Sequence, residues 1–127
     1  MDTRSKIVSL EQAAAAAAGR PLIVAAGCFD VLEAGHARFL QRIHSDGAAL
    51  LVAVYGDAVL CRLRGQARPI LAERARAQLV AALAAVDYVL VWPEPSLDAL
   101  AARLGPRRVE HIPEERNIIE VVRERSR

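Results

Sequence analysis

Aromatic residues are scarce in this chain: two Phe, two Tyr and one Trp among 127 residues. Leu, Val, Ile and Ala must therefore fill any core, and a hydrophobic content of 54% is enough to build one. Cysteine is limited to Cys28 and Cys61, which do not form a CxxC pair. No leader segment is read at the N terminus, so a reduced, cytoplasmic setting is expected. Charge of one sign is lacking too. Seventeen Lys and Arg against fifteen Asp and Glu leave a net +2, with the bases scattered among the acids. That distribution offers no dedicated nucleic-acid surface. No apolar run reaches the roughly 20 residues that cross a bilayer, so no membrane partner is expected.

What is present reads as a single domain over 1–127, with 1–20 as an N-terminal helical extension. Ser9 is an N-cap for a helix from Leu10 to Ala18, stopped by Gly19. The alanine run Ala13–Ala18 is read as an exposed stretch of high helix propensity. Pro21–Ala26 and Ala49–Tyr55 are apolar runs without a polar face, as buried parallel strands are. A helix is expected from Gly35 to His44, with Phe39, Leu40 and Ile43 on one face and a turn at Asp46-Gly47. Gly56–Pro69 reads as a polar loop. Glu73–Val86 reads as a helix burying Ala75, Leu79, Ala82, Leu83 and Val86, with Glu73, Arg74, Arg76 and Gln78 opposite. Asp87–Trp92 is a third strand, Ser96 caps a helix through Leu104, Arg108–Ile112 is a fourth strand and Glu114–Arg125 a last helix. Strands alternating with helices predict a three-layer α/β/α, Rossmann-like domain on a parallel sheet of four or five strands. Ligands in such sheets sit at the carboxyl ends of the strands.

The stretch Gly27-Cys28-Phe29-Asp30-Val31-Leu32-Glu33-Ala34-Gly35-His36 lies at that edge. An apolar strand leads into a glycine turn and then into a helix start, where backbone N–H groups favour anions. Asp30 is read as structural, holding the loop through backbone N–H groups. Cys28 reads as a small buried residue, Cys61 as inert, and His44 and His111 as ordinary. Trp92-Pro93 reads as a strand end.

This stretch resembles the signature of the cytidylyltransferase-like nucleotidyltransferases, G-[TC]-F-D-x-x-H-x-G-H. It matches at Gly27, Cys28, Phe29, Asp30, Gly35 and His36, with Glu33 in place of the first histidine. Further blocks resemble the nucleotidyltransferase domain of bifunctional ADP-heptose synthases: Ser9-Leu10-Glu11, Arg62-Leu63-Arg64-Gly65, Arg68-Pro69, Glu73-Arg74 and Ala85-Val86-Asp87-Tyr88-Val89. The resemblance implies transfer of a nucleoside monophosphate from ATP or CTP to a sugar-phosphate or polyol-phosphate acceptor, with pyrophosphate released and Mg²⁺ accompanying the nucleotide. It implies His36, Glu33 and Arg62 in the chemistry. Around the nucleotide it implies Gly27, Cys28, Phe29, Gly35, His36, Arg64, Arg68, Arg74 and Arg116. The partner is then a nucleotide or small phosphorylated molecule, and a homodimer is among the expectations.

Departures from the family pattern fall on the same site. Glu33 cannot donate to phosphate when ionised. Cys61 stands where relatives carry lysine. Glu114-Glu115-Arg116 precede Asn117-Ile118-Ile119 where relatives carry hydroxyls, and Val109–Pro113 runs on without the segment that relatives insert. A second reading stays open beside the enzyme: a catalytically lapsed relative that binds a mononucleotide or phosphate compound, or serves as an interaction module. Glu33, His36, Glu114 and Glu115 are residue types that bind divalent ions, but their spacing defines no ligand geometry and no metal site is assigned.

Overall fold

A computed structural model of the protein describes residues 2–44, 47–65 and 69–113. A 3₁₀ turn, Thr3–Lys6, leads into α1 (Leu10–Gly19), β1 (Leu22–Gly27), α2 (Ala34–Ile43), β2 (Ala49–Tyr55), α3 (Asp57–Arg64), α4 (Glu73–Ala81), β3 (Tyr88–Trp92), α5 (Asp98–Leu104) and β4 (Arg108–His111). The four strands form one parallel sheet in the order β3-β2-β1-β4.

Every residue of β1 and β2 is buried, as their unbroken apolar runs require. Alternation along these strands divides the core into two layers. Leu22, Val24 and Ala26, with Ala49, Leu51 and Ala53, meet Ala13, Val59, Leu60, Leu100 and Leu104 from α1, α3 and α5. Ile23 and Ala25, with Leu50, Val52 and Val54, meet Leu40, Ile43, Ala77, Val80 and Ala81 from α2 and α4. The result is the expected three-layer α/β/α architecture. The outer edge of β3 is partly covered, because Ile7 bridges to Val89 and the Val8 N–H donates to the Val89 carbonyl at 2.8 Å. Strand order reverses at β1: the chain steps to β2 and β3 on one side, then returns to place β4 on the other. The crevice between the carboxyl ends of β1 and β4 is thus the switch point of the sheet.

Several local expectations are corrected. Gly56–Pro69 is not a loop throughout, since Asp57–Arg64 is helical and buries Val59 and Leu60. The helix begun at Glu73 ends at Ala81, and its buried stripe is Arg76, Ala77, Val80 and Ala81. Arg76, placed on the polar face by sequence, is 0% exposed, whereas Leu79, placed in the core, is 43% exposed. Ala13 in the alanine run is fully buried, because α1 packs against the sheet. Ser9 caps α1 as read, in a reciprocal box with Gln12. Ser96 bonds the Asp98 N–H at 3.2 Å, one residue before the geometric N-cap, Leu97. Asp46, Arg68, and the expected last helix with Glu114, Glu115, Arg116 and Asn117–Ile119, lie outside the described residues.

Candidate nucleotide-binding cleft

The loop leaving β1 is tightly packed. A Cβ at Gly27 would stand 2.8 Å from Ile112 Cγ1 and 3.0 Å from Phe29 Cε2, so only glycine lets those side chains close over the strand end. Phe29 adopts φ +55°, a left-handed backbone that an aromatic residue rarely takes. Its surroundings hold it there: the ring is buried and meets the His36 ring edge-on, with centroids 5.8 Å apart. Asp30 is buried, and its carboxylate accepts from the Ile70 N–H (2.8 and 3.0 Å) and the Leu71 N–H (2.9 Å). It ties the β1 loop to the segment leading into α4, the structural role that its sequence position suggested.

At the head of α2, Glu33 is the N-cap residue and His36 stands at the third helical position. His36 Nδ1 accepts from the Glu33 N–H at 3.0 Å, the part that a Glu or Gln side chain plays in a capping box. A ring nitrogen that accepts carries no proton, so the neutral imidazole keeps its hydrogen on Nε2. His36 is 8% exposed, yet no buried side-chain nitrogen or oxygen among the described residues is left without a partner. Nε2–H has no acceptor among the described residues and meets solvent. Packing and one hydrogen bond hold this donor at the N-terminus of a helix.

The other side of the loop faces α3. Gly27, Cys28, Tyr55, Arg64, His111 and Ile112 line a cavity of 160 Å³ at the carboxyl ends of β1, β2 and β4. Burial pushes the Tyr55 phenol up from its ordinary value, with Cys28 nearby adding to the effect. The structure therefore brings Gly27, Cys28 and Arg64 together, with Phe29, Gly35 and His36 on the α2 side of the same loop. Gly35 opens onto a wider depression along α2, shared with Arg38, Gln41 and Arg42. Glu33 is exposed at the mouth, and Arg62 is exposed on α3. Arg74 stands elsewhere, in a 490 Å³ cavity with Arg4, Ile7 and Gln78 beside the β3 edge. Arg68 and Arg116 lie outside the described residues.

The sequence reading did not place Arg76, Tyr55 or His111 at this end of the sheet. The guanidinium of Arg76 is enclosed where β1 and β2 end. Nη1 donates to the carbonyls of Cys28 (2.8 Å) and Tyr55 (2.6 Å), Nε to that of Leu71 (2.9 Å), and Nη2 to Asp57 Oδ1 (2.8 Å). A buried cation is tolerable only when its donors are satisfied in this way. Glu73 completes the arrangement, since its Oε1 accepts from the Asp57 N–H at 2.9 Å, capping α3 where Gly56 has no side chain to do so. The signal in the sequence was an arginine in phase with Ala77, Val80 and Ala81. Among the described residues no three His, Cys, Asp or Glu side chains group to hold a metal ion, and no helix is long and apolar enough to cross a membrane.

Residues 24–124 match the family model described as Cytidylyltransferase-like. Among curated proteins, the chain is 41% identical over 104 residues to the Bifunctional protein HldE of Helicobacter pylori, covering 82% of this chain and 23% of that protein. It is 38% identical over 106 residues to the Bifunctional protein HldE of Geobacter sulfurreducens, covering 84% of this chain and 21% of that one. The chain thus spans less than a quarter of these relatives. Among solved structures, a lipopolysaccharide core biosynthesis protein from Thermoplasma volcanium superposes with a TM-score of 0.63 at 24% identity, covering 84% of this chain and 86% of that one. That likeness is one of fold.

Proposed function

The chain belongs to the cytidylyltransferase-like family, and on that premise we propose that its carboxyl-edge cleft binds a nucleotide through the phosphates. The reaction proposed is transfer of a nucleoside monophosphate from ATP or CTP to a sugar-phosphate or polyol-phosphate acceptor. An acceptor oxygen attacks the α-phosphorus, the bond from that phosphorus to the bridging oxygen breaks, and pyrophosphate leaves with that oxygen. The protein forms no covalent bond.

His36 carries this reading. Its Nδ1 is committed to the Glu33 N–H, which leaves Nε2–H as a fixed donor at the head of α2. A donor oriented before the reaction stabilises charge on phosphate oxygens without reorganising during it, and a helix N-terminus favours the same anion. Arg64 on the α3 side is a planar fork suited to phosphate oxygens. Mg²⁺ belongs to the same proposal as a companion of the triphosphate, whose charge it would screen when bound. The setting proposed is cytoplasmic and the assembly a homodimer, readable by light scattering.

Glu33 favours a second reading. It is exposed at the N-cap of α2, where a phosphate would dock. Like charges at ~4 Å cost about 1–4 kcal/mol between water-like and surface-like dielectrics, so a triphosphate suffers more than a monophosphate. A lapsed relative would bind AMP, CMP or another phosphate compound and turn nothing over. Pyrophosphate release from ATP and CTP over a panel of sugar and polyol phosphates, run beside calorimetry with ATP, CTP, AMP and CMP, separates the two. Turnover lost in His36→Asn supports the enzyme. Monophosphate binding without turnover supports the lapsed relative.

A further inference from the structure

We propose that the cavity between the N-terminal turn, α4 and β3 is a second small-molecule site, that it takes an organic carboxylate with an apolar body, and that Arg74 is its anion-binding residue. The site stands apart from the cleft, and neither reading of the cleft is needed for it. Its floor is apolar: Ile7, Ala77 and Val91 form the outer margin of the core layer that α4 covers. Arg74, Ala77 and Gln78 lie on one face of α4, spaced as neighbours on a helix surface are.

The wall opposite α4 is held in place by its own bonds. Ile7 bridges to Val89, the Val8 N–H donates to the Val89 carbonyl at 2.8 Å, and Lys6 Nζ donates to the Leu83 carbonyl at 3.1 Å. The N-terminal segment is thus fastened both to β3 and to the chain just past α4. The cavity is formed before a ligand arrives, so little is left to be ordered on binding. Its 490 Å³ falls within the roughly 300–1,000 Å³ of sites that enclose a whole small molecule.

The polar side chains around this floor differ in their commitments. Arg4 is taken: Nε donates to Asp2 Oδ1 at 3.0 Å and Nη2 to Asp2 Oδ2 at 2.8 Å. Glu73 Oε1 accepts from the Asp57 N–H at 2.9 Å. Arg74 is exposed and makes no hydrogen bond or ion pair among the described residues. Its planar fork matches the two oxygens of a carboxylate. Gln78, one turn on, adds an amide that can donate or accept. Glu73 disfavours a phosphate, because a second negative charge on the ligand would face that carboxylate with no further uncommitted cation to offset it. An aromatic or branched apolar body then covers Ile7, Ala77 and Val91 and takes their surface out of water.

The test is an amide NMR titration of the full chain, with hydrocinnamate, its uncharged amide and phenyl phosphate as probes. Hydrocinnamate is expected to shift the amides of Ile7, Ala77 and Val91 saturably. It should bind about tenfold tighter than its amide, the effect of hydrogen bonds to a charged group. Arg74→Gln, at an exposed position, should keep a native spectrum and bring hydrocinnamate down to the affinity of the amide. Arg74→Lys should fall between, because an ammonium keeps the charge and loses the fork. No saturable shift at these amides, equal binding of acid and amide, unchanged affinity in Arg74→Gln, or tighter binding of phenyl phosphate than of hydrocinnamate overturns the proposal. So do Ile7, Ala77 and Val91 amides that move on dilution of the free protein, since a second copy of the chain then covers this face. None of these results bears on the cleft, which pyrophosphate release tests separately.

Discussion

Arg76 donates through Nη1 to the carbonyl oxygen of Cys28 at 2.8 Å, so a side chain from α4 holds the loop that leaves β1. The same nitrogen reaches Tyr55, which locks the ends of the two central strands to each other. Replacing Arg76 by Met keeps an apolar stem but strands the carbonyls of Cys28, Tyr55 and Leu71 without their donor. A stranded buried acceptor costs about 1–3 kcal/mol, and breaking a buried charged contact costs about 3–5. Arg76→Met is expected to lose at least about 3 kcal/mol in urea unfolding. Arg76→Lys should recover part of this, because one ammonium cannot reach every acceptor.

Gly27 is under Ile112 and Phe29. Gly27→Ala should destabilise by about 1–3 kcal/mol through overpacking. In the double variant with Ile112→Ala the penalty should shrink, because the Cγ1 atom 2.8 Å from the new Cβ is gone. Urea midpoints of the four-member cycle measure this, and strict additivity would refute a steric origin.

Asp30 uses both carboxylate oxygens on the N–H groups of Ile70 and Leu71. Asp30→Asn offers one acceptor and no charge, so about 1–3 kcal/mol should be lost. Hydrogen exchange should report the loss locally, with the Ile70 and Leu71 amides exchanging faster while the amides of β2 keep their protection.

Burial raises the Tyr55 phenol above its ordinary value, so the native chain keeps that proton to higher pH than the unfolded chain. The stability that comes from enclosing a neutral phenol is complete below about pH 10 and declines as pH rises through the folded-state value. In Tyr88→Phe, which leaves Tyr55 as the one tyrosine, ultraviolet absorbance should show phenolate forming at higher pH in buffer than in denaturant. Coincident curves would contradict the burial effect.

Features set by neighbours in the chain were legible. The unbroken apolar runs read as β1 and β2, the Ser9 N-cap as the start of α1, and the glycine-bounded motif as the turn before α2. Features set by distant partners were not. The cap of α3 comes from Glu73, sixteen residues beyond the Asp57 N–H that it accepts, and eight residues are shorter than the helices that a sequence pattern marks out. The phase of α4 was misread because arginine is ordinarily a surface residue. The carbonyls that make Arg76 tolerable inside come together only once β1 and β2 lie side by side. At the cleft, the motif pointed to His36, but the part of the wall that carries His111 is brought there by strand order alone.

The pairing of Ile23 with Arg108 has a consequence for the order in which this molecule comes into being. A nascent chain released as far as Trp92 already holds three adjacent strands and their helices, yet its Gly27 loop lacks the cover of Ile112. Among the described strands, the one carrying His111 comes last, with four residues and β1 as its neighbour. Closure over the Gly27 loop therefore waits for the segment made after β3. Gripped from one side, β4 is expected to open before β1 and β2 do, which faster exchange of its amides would show.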